Sequence, residues 1–362
     1  MEFRRGTLED LEMNPGFWQN RSVFLTGHTG FKGGWIALWL SQLGAKVHGY
    51  SLSSPTTPHF YAATKLQERL QKSTIADIRD LLKLAAAVRD AKPSIVIHMA
   101  AQPLVRESYS TPVETFATNV LGTVNVLEAA RHVETVQAIV NITTDKCYEN
   151  QEWVWPYREN DRLGGRDPYS SSKACAEMAA AAYRNSFLSE AGIQLASVRA
   201  GNVIGGGDWA VDRLIPDFLR AVDAGETLRI RSPNAVRPWQ HVLEPLSGYL
   251  MLAERLVIDG AEFAEAWNFG PEDSDAKPVS WILGWLCHRI PGAHWELDGM
   301  PQPHEAGLLK LDSAKAKAKL GWAPKWSIET TLSETVEWHQ AWRAGQSMAE
   351  VSVQQIEAYQ AA

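Results

Sequence analysis

The sequence predicts an α/β protein built on a doubly wound parallel sheet, with a smaller α/β part at its C-terminal end. Short apolar runs alternate with helical patterns over about the first 200 residues, the pattern of a parallel sheet covered by helices on both faces. A glycine-rich turn joins the first apolar run to the first helical pattern. After Gly201 the alternation gives way to loops and to turns rich in proline and tryptophan.

The composition is that of an ordinary globular chain. Its 362 residues carry 35 Lys+Arg against 42 Asp+Glu, with 45% hydrophobic and 21% charged residues. These values exclude disordered, coiled-coil and collagen-like chains, and the net charge of −7 disfavours nucleic-acid binding. No window approaches 18 uninterrupted apolar residues, no signal-peptide core precedes residue 20, and three cysteines make no disulfide framework. We therefore expect a soluble cytoplasmic protein that binds neither membrane nor nucleic acid.

The elements of the first part follow from periodicity and from turn residues. Strands are predicted at residues 22–26, 46–51, 95–99, 138–143 and 195–199, with a further one before Asp77. Helices are predicted at residues 34–43, 80–91, 113–131 and 170–191.

The chain divides into three predicted regions. Residues 1–16 are expected to form a flexible N-terminal extension, residues 17–200 the first domain, and residues 201–362 mainly a second, smaller domain. The second domain begins with a helix at 213–224 and a strand at 228–231 and ends with a helix at 328–344. Some of its segments are expected to return to the first domain.

The glycine turn predicts a dinucleotide site. Gly27, Gly30 and Gly33 directly follow the first strand and open a helix. Glycine lets the backbone turn sharply and approach a pyrophosphate, which then faces the free N–H groups and dipole of the helix start. Tight strand-to-helix turns favour glycine in any case, so the motif is weak alone. In its place after the first strand it predicts a Rossmann-like, dinucleotide-binding first domain.

A second motif places a tyrosine and a lysine on one helical face. Tyr169 and Lys173 lie four residues apart, so they share a face if the segment is helical. A tyrosine with a reference pKa near 10 is a weak base at neutral pH. An ammonium one turn away, and a nicotinamide cation, would both stabilise its phenolate. The pair therefore predicts a general base that removes a proton from a hydroxyl group.

These motifs together resemble the extended short-chain dehydrogenase/reductase family of nucleotide-sugar enzymes, from about residue 17 to about residue 342. Within the family the chain resembles the 4,6-dehydratases that act on a CDP-linked sugar. The runs that carry the resemblance are residues 27–33, 77–79, 98–102, 119–123, 144–150, 201–209, 237–239, 268–270, 303–306 and 311–312. The resemblance implies NAD as cofactor and CDP-D-glucose as substrate, with CDP-4-keto-6-deoxy-D-glucose and water as products.

The resemblance also assigns roles to the catalytic candidates. Tyr169 is the expected base at the sugar O4, Lys173 lowers its pKa and holds the ribose, and Thr144 hydrogen-bonds O4. Asp145 is the expected acid for the departing C6 hydroxyl, because a carboxyl with a pKa raised by burial can deliver a proton. Lys146 stands where dTDP-sugar relatives have a glutamate that removes the C5 proton. An ammonium is no base, so the C5 base stays open.

The remaining site residues are expected to bind the two ligands. The cofactor set is Gly27, Thr29, Gly30, Phe31, Lys32, Gly33, Asp77, Ile78, Ala100, Ala101, Gln102, Asn119, Tyr169 and Lys173. The substrate set is Asn202, Arg213, Arg237 and Asn268. No metal site is expected, since no histidine or cysteine pair has ligand spacing. A homo-oligomer, dimer or tetramer, is expected through the helices at 113–131 and 170–191.

Several alternatives stay open. The chain could be an epimerase, or a dehydratase for another nucleotide, and Asp145 and Lys146 disfavour the epimerase. It could also be a catalytically silent dinucleotide sensor, which the Tyr169 motif disfavours. The second strand ends at residues 49–52 without the acidic residue that usually binds the ribose. With His28 adding bulk to the turn, we expect NAD to be held loosely.

Overall fold

The computed structural model describes residues 14–298 and 308–362. The strands, in chain order, are β1 (Ser22–Thr26), β2 (Lys46–Ser51), β3 (Lys72–Ile75), β4 (Ile95–His98), β5 (Ala138–Ile142), β6 (Gln194–Ala200), β7 (Val203–Ile204), β8 (Leu228–Ile230), β9 (Val236–Pro238), β10 (Gln240–His241), β11 (Ala266–Phe269), β12 (Ala276–Pro278) and β13 (Trp295–Leu297).

The helices of the described residues cover both faces of the sheet. They are α1 (Pro15–Trp18), α2 (Phe31–Gln42), α3 (Phe60–Ala63), α4 (Leu81–Ala91), α5 (Val105–Ser110), α6 (Pro112–Phe116), α7 (Gly122–Arg131), α8 (Pro168–Tyr183), α9 (Leu214–Ala224), α10 (Leu243–Ile258), α11 (Val279–Arg289), α12 (Ile328–Arg343) and α13 (Met348–Ala361). None of them is both long and apolar enough to span a membrane.

A seven-stranded parallel sheet forms the centre of the molecule, in the order β11-β6-β5-β4-β1-β2-β3. The chain moves outward from β1 to β3 and then restarts at β4, on the other side of β1. Ligands of open α/β sheets bind at such a reversal, outside the carboxyl ends of the strands. The doubly wound sheet predicted from the sequence is confirmed, and it places the glycine turn at the reversal.

Local signals explain where the helices begin. The Asp80 carboxylate accepts a hydrogen bond from the backbone N–H of Lys83 and so caps α4. Asp167 caps α8 in the same way, through the N–H of Ser170, and Pro168 occupies the first helical position. Asp167 and Pro168 therefore fix the start of the helix that carries Tyr169.

The long helices predicted at 113–131 and 170–191 are each interrupted by one wider turn. The first consists of α6, a π-helical turn at Ala117–Leu121, and α7. The second consists of α8 and a π-helical turn at Arg184–Leu188. A π turn accommodates one extra residue in an otherwise α-helical segment.

The chain after residue 201 contributes to two regions. Its strand β11 pairs with β6 and extends the central sheet, and α10 packs against β5 and β6. Three small strand pairs, with α9, α11 and α12, build a separate apolar cluster beside the carboxyl edge of the sheet.

The flexible extension predicted at residues 1–16 differs from the structure at residues 14–16. Residues 1–13 lie outside the described residues, but Asn14 caps α1, which begins at residue 15. The Asn14 N–H and the Trp18 indole N–H both donate to the Glu254 carboxylate on α10. Residues 14–16 therefore belong to the folded molecule. The run at 303–306 also lies outside the described residues.

Candidate active site

A cavity of about 1430 Å³ opens at the carboxyl ends of β1 and β4, between the sheet and the smaller region. Most of the residues predicted from the sequence contribute to its wall. They are Gly27, Thr29, Gly30, Phe31, Lys32, Gly33, Asp77, Ile78, Ala100, Ala101, Thr144, Asp145, Lys146, Tyr169, Lys173, Asn202, Arg213 and Arg237.

Three predicted residues do not reach the cavity wall. Gln102 and Asn119 bond to each other, and the Asn119 amide also bonds to the Ser172 hydroxyl. Asn268 is fully buried on β11, and its amide donates to the carbonyl oxygens of Tyr157 and Asp312. The expectation that Asn268 anchors a substrate phosphate is therefore corrected, because its side chain is occupied in holding this part of the wall together.

The glycine turn has the shape that a dinucleotide diphosphate requires. A Cβ at Gly33 would lie 2.0 Å from the Gly27 carbonyl oxygen, and Gly27 has φ of +83°. The α2 N-terminus has no side-chain cap at Gly30, so its N–H groups can face an anion in the cavity. The residues present therefore fit the diphosphate of NAD.

The end of β2 carries a hydroxyl where an acidic residue is usual. Ser51 lines the cavity, and its hydroxyl lies 2.9 Å from that of Thr29. His28 does not obstruct the cavity as expected, because its ring packs over Gly49, where a Cβ would approach it to 2.5 Å. Its Nε2 lies 2.8 Å from the Ser73 hydroxyl. The His28 side chain therefore packs against β2 and β3 and leaves the turn open to the cavity.

The end of β3 lines the part of the cavity where the adenine is expected. Asp77 and Ile78 both belong to the wall. The Asp77 carboxylate accepts hydrogen bonds from the side chain and the backbone N–H of Arg79, and Arg79 also pairs with Glu114. Arg79 therefore holds the pKa of Asp77 below its ordinary value. The carboxylate is already engaged by Arg79, and the Ile78 side chain is buried in the apolar cluster behind the wall.

The segment that follows β5 places Thr144 and Asp145 side by side. The Thr144 hydroxyl donates to Asp145 Oδ1 at 2.9 Å and accepts from the backbone N–H of Lys146 at 3.3 Å. Asp145 is only 3% exposed. Burial raises its pKa, and the charges of Lys146 and Arg237 and the Thr144 hydrogen bond oppose that rise. A buried carboxyl with a raised pKa is suited to donate a proton.

Tyr169 faces the same part of the cavity from the first turn of α8. Burial raises the pKa of its phenol to about 12, and the nearby Asp145 carboxylate acts in the same direction. The Thr144 hydroxyl and the charge of Arg213 act against this rise. Burial therefore outweighs the lowering expected from the sequence, and a further positive charge beside the phenol is needed to make it a base.

Lys173 lies one turn after Tyr169 and is buried. Its ammonium donates to the Ile142 carbonyl oxygen at 3.2 Å, and burial lowers its pKa to about 8. Behind it, Glu177 opposes that lowering and forms a bidentate pair with Arg199. Glu177 was not predicted from the sequence, although its spacing of four residues from Lys173 on a helix was a usable signal.

Lys32 sits at the start of α2 and points across the cavity floor. Its ammonium donates to the Tyr249 hydroxyl at 3.3 Å. Burial, together with the charges of Lys173 and Arg213, lowers the pKa of Lys32 to about 7. The side chain therefore lies among the catalytic candidates rather than reaching out to a phosphate.

The substrate side of the cavity is basic. Asn202 follows β6, and Arg213 pairs with Asp208 at 2.7 Å. Arg237 is 8% exposed and bonds to the carbonyl oxygen of Val236.

Within residues 14–298 and 308–362 no group of three or more histidine, cysteine or acidic side chains could hold a metal ion.

The fold and the site together define a dinucleotide-binding enzyme with a tyrosine and lysine pair on α8. A sequence profile of the GDP-mannose 4,6 dehydratase family matches residues 24–265. The chain belongs to this family, within the extended short-chain dehydrogenases/reductases.

Among curated relatives, the chain is 54% identical over 356 residues to a CDP-glucose 4,6-dehydratase of Salmonella typhimurium, covering 97% of this chain and 99% of that protein. Solved structures show the same fold. UDP-glucose 4-epimerase of Thermotoga maritima has a TM-score of 0.74 at 24% identity, covering 88% of this chain and 98% of that one. dTDP-glucose 4,6-dehydratase of Bacillus anthracis, in complex with NAD, has a TM-score of 0.72 at 21% identity, covering 88% of this chain and 96% of that one.

Proposed function

We propose that the protein is an NAD-dependent lyase that converts CDP-D-glucose to CDP-4-keto-6-deoxy-D-glucose and water. The observation that carries the proposal is the grouping of Thr144, Asp145, Tyr169 and Lys173 on one cavity wall. This grouping occurs in a chain 54% identical, over nearly its whole length, to a CDP-glucose 4,6-dehydratase. Asp145 favours a dehydratase over an epimerase, because only the dehydratase must protonate a leaving hydroxyl.

Tyr169 accepts the proton of the sugar O4 in this proposal, and Lys173 holds the cofactor ribose. The chemistry that NAD would supply when bound is acceptance of a hydride from C4, its return to C6, and the positive charge of the nicotinamide ring. That positive charge would stabilise the phenolate of Tyr169, which burial disfavours by raising the pKa of the phenol to about 12. The burial that opposes the phenolate also excludes water from it.

Asp145 then protonates the departing C6 hydroxyl. Burial raises its pKa, which favours the protonated form that an acid needs. Lys146 lies next to it and stabilises negative charge that develops on the substrate, and the base for the C5 proton remains open. Asn202, Arg213 and Arg237 are the proposed anchors of the nucleotide diphosphate, because guanidinium groups match phosphate oxygens.

The test is product analysis with several nucleotide sugars. The protein, loaded with NAD, is incubated separately with the CDP-, dTDP-, GDP- and UDP-linked glucoses. We expect a product lighter by one water from CDP-D-glucose, formed much faster than from the other three. An isomer of unchanged mass would instead indicate an epimerase, and faster reaction of another nucleotide would overturn the CDP assignment.

We also propose that the protein is a homo-oligomer that works in the cytoplasm. The helices α6 to α8 expose a group of apolar side chains, namely Val113 at 80%, Leu121 at 59%, Met178 at 55% and Phe187 at 45%. Exposed apolar groups of this kind mark association surfaces. The three cysteines are free thiols, consistent with a reducing compartment. Met178→Lys should shift the mass in light scattering toward the monomer, whereas Ile258→Lys, at a similarly exposed apolar residue of α10, should not.

A further inference from the structure

A buried ion pair lies directly behind the wall that carries the catalytic candidates. The guanidinium of Arg199, on β6, donates to both carboxylate oxygens of Glu177, on α8, at 3.0 and 2.9 Å. The two side chains are only 3% and 4% exposed. A buried ion pair often adds no net stability over apolar residues of similar volume. Stability alone therefore does not account for a charged pair at this position.

Both members of the pair bond to the segment that follows β5. The Thr143 hydroxyl donates to the Glu177 carboxylate. Later in the same segment, the Tyr148 hydroxyl accepts a hydrogen bond from Arg199 Nη1 at 2.8 Å. Thr143 and Tyr148 border the cavity, but their hydroxyls bond to the pair behind it. The pair therefore holds the segment 143–148 at its first and last residues.

The two held residues enclose Thr144 and the proposed acid, Asp145. Glu177 belongs to α8, the helix that also carries the proposed base, Tyr169. The bond between Thr143 and Glu177 therefore joins the segment of the acid directly to the helix of the base. A shift of the segment along α8 would change the distance between the two groups that act on the substrate.

The central sheet supports the last residue of the segment. The Tyr148 hydroxyl donates to Asn268 Oδ1 at 2.7 Å. Asn268, on β11, lies directly opposite Arg199, on β6, in the parallel pairing of these strands. Arg199 Nη1 also donates to the carbonyl oxygen of Glu159 at 2.9 Å. Two neighbouring strands thus hold the Tyr148 hydroxyl from both of its hydrogen-bonding sides.

We propose that the Glu177–Arg199 pair positions residues 143–148, so that Asp145 is held where it protonates the departing C6 hydroxyl. The inference rests on the proposed function. Both side chains lie behind the cavity wall, so they are positioning residues and not catalytic ones. Elimination, which needs Asp145, should depend on the pair more strongly than oxidation, which needs Tyr169.

The first test removes a single hydroxyl contact. Tyr148→Phe keeps the ring but loses the hydrogen bonds to Arg199 and Asn268. Tyr157→Phe is the matched control, because its ring is also buried and stacks on that of Tyr148 at 5.1 Å, whereas its hydroxyl bonds to Asn150. NAD-loaded enzyme is mixed rapidly with CDP-D-glucose, the absorbance of reduced nicotinamide is followed, and quenched samples are analysed by mass.

In Tyr148→Phe we expect oxidation to proceed and elimination to slow. Reduced nicotinamide and the 4-keto sugar should build up, and elimination should be slower by about tenfold or more, since a misplacement of about 1 Å costs about a hundredfold. In Tyr157→Phe neither should build up. Elimination by Tyr148→Phe at the wild-type rate would overturn the proposal, and so would slowing of oxidation alone.

A second variant separates positioning from stability. Glu177→Leu combined with Arg199→Met replaces the pair by apolar residues of similar volume, a change that is often neutral or stabilising. We expect a melting temperature no lower than that of wild type and unchanged calorimetric affinity for the substrate, with kcat lower by about a hundredfold. A folded double variant with kcat within about tenfold of wild type would overturn the proposal. If the double variant does not fold, Tyr148→Phe decides by itself.

The pH profile of the double variant separates positioning from a charge effect on Lys173. Burial lowers the pKa of Lys173, and Glu177, one helical turn further along α8, opposes this. Recovery of kcat relative to wild type at lower pH, where Lys173 is protonated in any case, would mean that the pair acts through that charge and would overturn positioning. We expect the same loss at every pH. Product formation by the wild-type enzyme tests the proposed function separately.

Discussion

Burial raises the pKa of both central side chains of the site, Asp145 and Tyr169, but the consequences for their proposed roles are opposite. It raises the pKa of Asp145, which suits an acid, and it raises the pKa of Tyr169 to about 12, which opposes a base. Tyr169 therefore needs a positive charge nearby to act as a base, whereas burial alone already favours Asp145 as an acid. At the residue scale this predicts different behaviour for substitutions at the two positions.

Tyr169→Phe should abolish oxidation while leaving substrate binding nearly intact, because only the proton acceptor is removed. Loss of a general base typically costs on the order of 10²–10⁴-fold in rate. Turnover and calorimetric substrate affinity are measured together. Tyr61→Phe is the matched control, since its hydroxyl bonds to Ser73 outside the cavity wall. Turnover of the Tyr169 variant within tenfold of wild type would reject the assignment.

Asp145→Asn should slow elimination more than oxidation, because an amide keeps the shape but is a poor proton donor. The 4-keto sugar and reduced nicotinamide should then persist on the enzyme, as rapid quench and absorbance can show. The Thr144 hydroxyl can still donate to the asparagine oxygen, so the local geometry is expected to survive. Failure of the first oxidation, with no keto sugar formed, would mean that Asp145 is not the acid for the leaving group.

At the scale of elements, the β1–α2 turn and the end of β2 decide how NAD is held. The turn fits a diphosphate, and two of its glycines, Gly27 and Gly33, pack too closely for any side chain. At the end of β2 and directly after it, residues 51–54 line the cavity with the hydroxyls of Ser51, Ser53 and Ser54 but with no carboxylate for a ribose. The ammonium of Lys32, at the start of α2, adds positive charge to the same cavity.

The protein should therefore purify with less than one NAD per chain, and added NAD⁺ should raise its activity. Losing two ribose hydrogen bonds to a carboxylate, at about 1.5–3 kcal/mol each, weakens binding by about two orders of magnitude or more. Released NAD is quantified by absorbance after denaturation. Ser51→Asp should increase the retained NAD, whereas the neutral Ser51→Asn should not. Full occupancy of the wild type, without stimulation by NAD⁺, would show that other contacts compensate.

The elements that could be read from the sequence are those with a strong local signal. The apolar runs of β1 and β2 were predicted at their observed bounds, because central parallel strands are buried on both faces. The helix α10 was missed, since 12 of its 16 residues are buried and it shows no polar face that would indicate a helix. The short strand β11 was missed because its pairing with β6 is long-range and leaves no local pattern.

The same distinction holds for the site. Motif residues next to the strand ends, such as Thr144 and Asn202, line the cavity as expected. Asn268 is also next to a strand end, but β11 lies at the edge of the sheet, away from the reversal at β1 and β4. The direction of the Thr144 proton and the burial of Tyr169 depend on three-dimensional packing, which the sequence pattern does not specify.

At the scale of the whole molecule, Glu254 joins the N-terminal segment to α10. It is 5% exposed and accepts hydrogen bonds from the Asn14 N–H and, at 2.6 Å, from the Trp18 indole. Burial raises its pKa from an ordinary 4.5 to about 7, although these hydrogen bonds and two nearby arginines oppose the rise. The folded protein therefore binds a proton at Glu254 that the unfolded chain releases between pH 4.5 and 7.

This coupling predicts that the stability contributed at Glu254 is greatest below pH 4.5 and falls as the pH rises to about 7. A shift of this size corresponds to at most about 3 kcal/mol, or roughly 4 °C in melting temperature for a chain of this length. Glu254→Gln removes the titration and keeps an acceptor for Trp18, so the melting temperature of wild type minus that of the variant should decline from pH 5 to pH 8. Buried histidines such as His98, whose pKa burial lowers to about 3, give the opposite trend in both proteins and cancel in the difference. A difference that is independent of pH would mean that Glu254 stays ionised in the folded protein, held by its two donors despite its burial.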